Sequence, residues 1–484
     1  MANPNCVFTT KKVDSGTLTA NHEVLVSDLR DLSLNEKEKT IKTGDLFYYK
    51  AKQNIYQRTH NYSLITKGFQ KTNLVERLQE SSYSLKEFLE EEIQRGISAD
   101  YSKAFIVNEK TIQENKFERE ICKPIITGHN IFRFGIEFLN EYIFYLTRND
   151  NITQKPNVEK YLKGFKDKIT CKEVREGKHP WYSLHRPRDP IIFRGPKLVG
   201  LTTSDRLIVG MDTGELFAMD NLYIIHLKSK DIRDYYWMLS VLNSSLISFA
   251  YRFLAQEEGR ILPQVKAENL YALPIYIISF FTSKDERAKL FAKAKDHYKR
   301  YIKEEYPEHF LNFIESRLTK EHRPDKNLVR KHNLAPMNKN RQIKEDALID
   351  QSDVAYDILA FLAENMLVWN KEKQKEINGF VEWLESQLKI QPDREGNTGI
   401  EALTGKTHVK NYLGDYQKVE EHLSFDEFWK IFEKNKNRIN ANLKSREIFE
   451  TFKTEYEKSL SRLLPIKEKL RKTDWLIDQI VYKL

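Results

Sequence analysis

Apolar positions along the chain change their spacing near residues 86 and 275. Between those limits they fall in short runs, at Ala104 to Val107, Tyr142 to Thr147, Ile191 to Phe193, Lys197 to Gly200, Leu207 to Met211 and Leu222 to Leu227. Runs of this length, rich in β-branched and aromatic residues, predict strands. Thr127-Gly128-His129-Asn130, Arg194-Gly195-Pro196 and Asp212-Thr213-Gly214 predict turns between them. One helix interrupts the strands, from about Asp231 to Leu254, because Tyr236, Leu239, Leu242, Leu246 and Phe249 recur at helical spacing, with Asn243-Ser244-Ser245 inside it. It is expected to back the sheet.

After Pro274 the period becomes helical. The spacing predicts helices from about Lys284 to Tyr306 and from about Gln351 to Leu388, and a pair within Ser424 to Leu484. Thr319 to Glu345, polar, basic and broken by Pro324 and Pro336, reads as a long exposed connector. In the last helix Ile448, Phe452, Tyr456, Leu460, Leu463 and Ile466 form one stripe that needs a partner. The nearest candidate is the helix of Phe425, Phe428, Ile431, Phe432 and Ile439, giving an antiparallel hairpin that serves as a rigid spacer, as simple core packing, or as both. Before residue 86 there is a strand-like piece, Leu46 to Tyr49, and the run Leu74, Leu78, Tyr83, Leu85 and Phe88, whose spacing suits one or two helices. The fold class is therefore α+β: a linker over 1–85, a β-rich domain with a backing helix over 86–275, and a mostly α-helical region with long antiparallel helices over 276–484.

Composition adds a partner. Of 484 residues, 40% are apolar and 12% aromatic, enough for real cores, and the net charge is +9. Residues 155–206 hold 13 Lys and Arg against 6 Asp and Glu, a surplus of 7, so the basicity is concentrated around His179-Pro180-Trp181-Tyr182-Ser183-Leu184-His185-Arg186-Pro187-Arg188. A local surplus of this kind neutralises phosphates and releases counterions. On charge alone an ordinary solvated face is the better explanation. The chain has no run of eighteen apolar residues and no basic-then-apolar start, so an intracellular, cytoplasmic protein with no membrane partner is expected. Cys6, Cys122 and Cys171 are isolated, and His179 and His185 lie six apart beside prolines, which argues against disulfides and metal ligation.

Several strings occur in an order that resembles one family, the TaqI-like C-terminal specificity region of adenine-specific DNA methyltransferases and type IIG restriction-modification enzymes. They are Gln94-Arg95-Gly96-Ile97 with Lys103-Ala104-Phe105-Ile106-Val107, then Cys122-Lys123-Pro124-Ile125-Ile126-Thr127-Gly128-His129-Asn130-Ile131. Pro156-Asn157-Val158 with Tyr161-Leu162, Trp181 to Pro187 and Leu242-Asn243-Ser244 follow. Leu403 to Thr407, Leu463-Leu464-Pro465 and Lys472 to Leu484 are similar to the family's helical tail. The resemblance implies a target-recognition domain over 86–275 that reads a short site in double-stranded DNA, and a helical domain or spacer after it. It implies a separate methyltransferase domain or subunit that flips an adenine and methylates it from S-adenosylmethionine. Residues 1–85 would then be the remnant of the junction to that domain, and the chain either a natural subunit or a fragment.

No cofactor is expected in this chain itself and no catalytic residue is assigned. The family's Asn-Pro-Pro-Tyr motif has no counterpart, since Asn3-Pro4 is followed by Asn5 and Cys6 and has no strand before it. No strand-Gly-x-Gly turn precedes a helix, Glu118, Glu120 and Lys123 or Glu372 and Lys375 do not suit a nuclease, and Thr404-Gly405-Lys406-Thr407 lacks the first glycine of a phosphate loop and reads as an αα connection. Base readout needs Arg, Lys, Asn, Gln or acidic side chains on loops held by a rigid sheet. The candidates are His129, Asn130 and Arg133; Trp181, Tyr182, His185, Arg186 and Arg188; Arg194, Lys197 and Arg206; and Arg252, Arg260 and Gln264. Trp181 is favoured as core, Arg186 has possible partners in Asp189 and Asp205, Lys197 has a simple solvated reading, and the Arg186-Pro187-Arg188 loop is favoured for DNA. Two rivals stand: a complete methyltransferase or nuclease with a divergent site in residues 1–120, and an RNA-binding or interaction scaffold.

Overall fold

The computed structural model describes residues 23–26, 49–52, 78, 82–255, 263–278, 280, 282–304, 307–318, 351–394 and 396–484, the first two segments as backbone alone. The chain divides into two units, residues 1–81 with 257–261, and residues 82–256 with 262–484. In the first, β1 (Glu23–Val26) pairs antiparallel with β2 (Tyr49–Lys52). Most of the expected Leu46 to Tyr49 strand and the whole Thr319 to Glu345 connector lie outside the described residues.

The second unit begins at β3 (Ser82–Ser84), which pairs with β14 (Pro274–Tyr276). Tyr83 thus sits on a strand and Leu85–Phe88 form a helical turn, capped by Ser84 and Glu87, where the spacing had suggested one or two helices; Leu74 lies outside the described residues. Three contacts to the facing strand outweigh a short helical period.

Two four-stranded sheets follow. One is ordered β11 (Val209–Asp212), β10 (Lys197–Leu201), β13 (Leu222–Ile225), β4 (Gln94–Arg95), all antiparallel. The other is ordered β12 (Phe217–Ala218), β6 (Cys122–Ile126), β9 (Glu141–Phe144), β5 (Ile106–Asn108), with β12 parallel to β6. A small hairpin, β7 (Ile131–Phe132) and β8 (Gly135–Ile136), joins the β6 side to β11.

Side chains alternate across a strand, and here both faces are buried. Val199, Leu222 and Ile224 pack with Ile125, Ile126, Ile143 and Phe144 between the sheets. Leu198, Tyr223 and Ile225 point the other way onto α2 (Ile232–Asn243). The backing helix expected from about Asp231 to Leu254 is therefore present, but it breaks: α2 ends at Ser244 and α3 (Ser245–Ala255) leaves at 63°. Asn243 explains the break. Its Oδ1 accepts from Val209 N at 3.1 Å and its Nδ2 donates to Val209 O at 2.9 Å, so a buried side-chain amide completes the free edge of β11.

Before these, α1 (Pro156–Lys163) follows β9, and after β14 come α4 (Lys284–Glu304), α5 (Glu308–Glu315), α6 (Ser352–Leu388), α7 (Phe425–Lys434) and α8 (Arg446–Lys483). The predicted stripe does find α7, through Phe425 and Phe428 against Tyr456. Its longer partner is α6, through Phe380 against Tyr456 and Trp383 against Phe452. Both long helices serve two cores. Val354 to Met366 of α6 and Leu470 to Val481 of α8 join the core under the β10–β13 face, whereas Ile377 to Leu388 and Phe452 to Leu463 build a separate aromatic core with α7. One core accordingly runs across residue 275, and Pro465 of α8 falls where the helix passes from one to the other.

Among the described residues no single helix is long and apolar enough to cross a membrane.

Candidate nucleic-acid interface

The basic segment is fixed from beneath by its apolar and small polar residues. Leu184 is fully buried and its N–H donates to Leu146 O. His179, 5% exposed, meets Pro180 O at 3.0 Å, Ser183 Oγ at 3.1 Å and Cys171 Sγ at 3.5 Å. Trp181 is half-buried against the core between the sheets, with the Lys166 ammonium 5.6 Å from its ring centroid, and Tyr182 donates its hydroxyl to Asp150 O at 2.8 Å. Both rings thus position the loop, as favoured for Trp181 and not expected for Tyr182. His185 stands 3.5 Å from Glu173.

The chain then crosses to the edge of the first sheet. Ser98 and Arg186 exchange both backbone hydrogen bonds at 3.0 Å, which brings residue 186 beside β4. Arg188 takes up φ +61°, its carbonyl accepts from the Tyr145 hydroxyl, and its Nε donates to Gly96 O at 3.1 Å. A Cβ at Gly96 would lie 2.2 Å from Ala218 O, so only glycine allows this approach. Three guanidiniums gather as a result. Burial lowers the pKa of Arg188, and the charges of Arg186 and Arg95 push it the same way with only Asp220 opposing. Arg95 and Arg186 are exposed, and among the described residues none of the three is in an ion pair with a carboxylate. Arg186 does not pair with Asp189, whose carboxylate caps Ile191 N at 2.9 Å, or with Asp205, which lies beside Arg206.

Beyond Arg188, residues Pro190–Phe193 form a 3-10 turn where the apolar run predicted a strand. A proline first residue and the Asp189 cap favour the turn over extended pairing. Arg194 follows it, exposed. Lys197 does not face solvent. It is fully buried, and its ammonium donates to Phe193 O at 2.6 Å, Asp212 Oδ2 at 2.5 Å and Gly214 O at 3.1 Å, with Gly195 O at 3.5 Å. Burial lowers its pKa while Asp212 opposes the shift. Lys197 and Asp212 are cross-strand partners at the start of the β10–β11 ladder, so this one ammonium ties the 193–195 loop to the 212–214 turn.

Two other candidates are also internal. Asn130 is 1% exposed; its Oδ1 accepts from Thr127 N at 2.7 Å and its Nδ2 donates to Glu137 O at 2.8 Å, which closes the turn before β7. Arg133 is 6% exposed and bonds Asp474 of α8 at 2.6 Å, while Tyr416 donates to the same carboxylate. Turn residues and an arginine between β-runs look alike in sequence whether they point in or out. Asn130, Arg133 and Lys197 are thus buried and held by protein groups, not presented to solvent as direct base contact would require.

The remaining candidates separate. His129 is exposed beside Glu141, whose pKa burial pushes up. Gln264 lies beside the turn that precedes Arg206, because Thr203 bridges Gln264 and Ser204 N donates to Pro263 O. Arg252 is exposed on α3, and Arg260 lies outside the described residues. Arg95 was missed as a site residue although its string was noticed; its signal was the adjacent Gly96, which marks a close backbone approach. Among the described residues no three His, Cys, Asp or Glu side chains are arranged to hold a metal ion.

Residues 123–275, the segment that carries this loop and both sheets' central strands, match the family model of the TaqI-like C-terminal specificity domain. No curated protein matches the chain. Solved structures similar to it include the type IIL restriction-modification enzyme MmeI in complex with DNA, at 13% identity and a TM-score of 0.32, covering 54% of this chain and 32% of that one. Another is the type IIG restriction endonuclease BpuSI, at 12% identity and a TM-score of 0.30, covering 56% of this chain and 34% of that one. The chain spans about a third of the length of these two enzymes.

Proposed function

We propose that a chain with a TaqI-like specificity segment at 123–275 is the DNA-reading part of a restriction-modification enzyme. Double-stranded DNA meets the loop of Arg186, Arg188 and Arg194 and the neighbouring Arg95. Adenine methylation from S-adenosylmethionine takes place in a methyltransferase domain or subunit outside the described residues. The observation that carries this reading is the coincidence of the matched segment with a rigidly mounted group of guanidiniums that have no carboxylate ion pair among the described residues.

The chemistry follows from how each arginine is held. Arg188 commits Nε to Gly96 O, which leaves its terminal nitrogens as the donor face. Such a fork suits the O6 and N7 of a guanine or two oxygens of one phosphate. Arg186 and Arg95, both exposed near Arg188, supply phosphate contacts that fix register and carry no sequence information. Because the three charges repel one another in the free protein, an anion between them relieves that repulsion as it binds.

Selection of a target from a randomised duplex library, followed by anisotropy titrations at several salt concentrations, tests the reading. Arg186→Ala and Arg188→Ala are expected either to lower the salt slope by about one each, for phosphate contacts, or to cost about 1–3 kcal/mol at one base pair, for base contacts. Unchanged affinity and slope in both variants would remove the loop from the interface. Binding of radiolabelled S-adenosylmethionine, or metal-dependent DNA cutting by this chain alone, would overturn the division of labour.

A further inference from the structure

Ile191 is the only large apolar side chain exposed on the loop from 179 to 195, at 59%, while Ile192 and Phe193 beside it are 6% and 0% exposed. Isolated exposed apolar residues are common and need no explanation by themselves. This one is held out by construction. Asp189 caps its N–H at 2.9 Å, Arg194 N donates to its carbonyl at 3.1 Å, and His226 Nε2 meets Ile192 O at 2.8 Å. Phe193 stacks on Phe217 with centroids 4.4 Å apart, and Lys197 holds Phe193 O. The turn is pinned on both sides, so Ile191 cannot rotate inward without losing these bonds. Its β-branch also leaves few rotamers, which makes it a stiff knob.

Cations frame the knob. Arg186 and Arg188 lie within five residues before it and Arg194 three after, and the one acid among them, Asp189, is used as a cap. A partner that satisfies guanidiniums and a single branched alkyl group must present anionic or acceptor groups flanking a small apolar one. The major groove does this wherever a thymine 5-methyl group lies between phosphates or beside a guanine.

We propose that Ile191 reads the 5-methyl group of a thymine in the target, in the major groove, between the contacts made by Arg186, Arg188 and Arg194. This rests on the duplex-recognition reading above. An apolar wedge between base steps is the alternative use of such a residue, but wedges enter from the minor groove and are accompanied by unstacking and a kink. A one-turn platform with both following residues buried projects only one side chain, which suits contact with a groove edge.

The test begins with the target selected by the wild-type chain and replaces each thymine in it by uracil, which deletes only the methyl. One position is expected to weaken wild-type binding about 3- to 5-fold, the effect of burying one methyl group. Ile191→Ala and Ile191→Asn should bind the thymine and uracil duplexes equally, with thermal midpoints unchanged because the residue is exposed. Arg186→Ala should bind both more weakly and keep their ratio. A wild type that selects a target yet ignores every uracil, or an Ile191→Ala variant that keeps the discrimination, overturns the proposal and leaves the recognition reading intact. A 2-aminopurine fluorescence rise that depends on Ile191 also overturns it, in favour of a wedge. A wild type that selects no target overturns the recognition reading itself.

Discussion

Replacing Lys197 by Met keeps the length and apolar stem of the side chain and deletes the ammonium. Four acceptors then lose their donor: Phe193 O, Gly195 O, Gly214 O and the Asp212 carboxylate. Asp212 retains the N–H groups of Gly214 and Leu216 at 3.0 Å, but its charge is 9% exposed and loses its counterion. Breaking a buried pair from one side costs about 3–5 kcal/mol, because the remaining charge is uncompensated. Lys197→Met is expected to lose that much in urea unfolding followed by far-ultraviolet circular dichroism at pH 7.5. The companion change Asp212→Asn removes the stranded charge, so the double variant should recover more than half of the loss. DNA affinity should report the same event more sharply, since the freed 193–195 loop carries Arg194 and follows Ile191. A Lys197→Met protein within about 1 kcal/mol of wild type would refute the reasoning, as would a double variant no better than the single one.

Other consequences are open to measurement. Burial raises the Asp474 pKa from 3.8 to about 6 despite Arg133, so the folded state takes up this proton between pH 6 and 4, before the unfolded chain does. Its share of stability therefore grows as pH falls from 7 to 4 and is lost as pH rises through 6; Asp474→Asn should flatten that part of the stability–pH curve. Asn243→Leu leaves the Val209 N–H unpaired inside the protein, while Val209 O keeps the Phe134 N–H at 3.0 Å, and should cost roughly 1–3 kcal/mol, read as a lower urea midpoint. Gly96→Ala should abolish DNA binding before it abolishes folding, because the displaced strand carries Arg95 and the acceptor for Arg188, and hydrogen exchange at residues 95–98 would show the displacement.

The α+β class, the strands at 197–200 and 222–227 and the long helices were legible because each depends on a local period. Orientation was less so. Lys197, Asn130 and Arg133 stood among turn residues and other cations, and nothing in the string distinguishes an ammonium aimed at three carbonyls from one aimed at solvent. What decided their fate lies far away in sequence: Asp212 for Lys197, and Asp474, 341 residues on, for Arg133. Ile191 to Phe193 read as strand by composition, yet Asp189 and Pro190 imposed a turn and left one of the three residues outside. The loop of Arg186 and Arg188 drew notice through its charge surplus and prolines, which are properties of the segment and not of any one contact.

The last helix bears on how such a protein could be altered. Lys472 reaches Ile302 O, Thr473 bonds Tyr298, Asp474 holds Arg133, and Asp478 accepts from Ser245 N at 2.7 Å and Ser245 Oγ at 2.6 Å at the start of α3. Four footholds within seven residues, on three distant segments, mean that the recognition unit is not a continuous stretch of chain. A graft of residues 86–275 from one such protein into another would inherit the reading loops and leave behind the carboxylates that hold Arg133 and the start of α3. Recombination, in the laboratory or in descent, would preserve a working specificity only where the terminal helix travels with the domain it clasps, or where its few contact residues are held constant while the loops diverge.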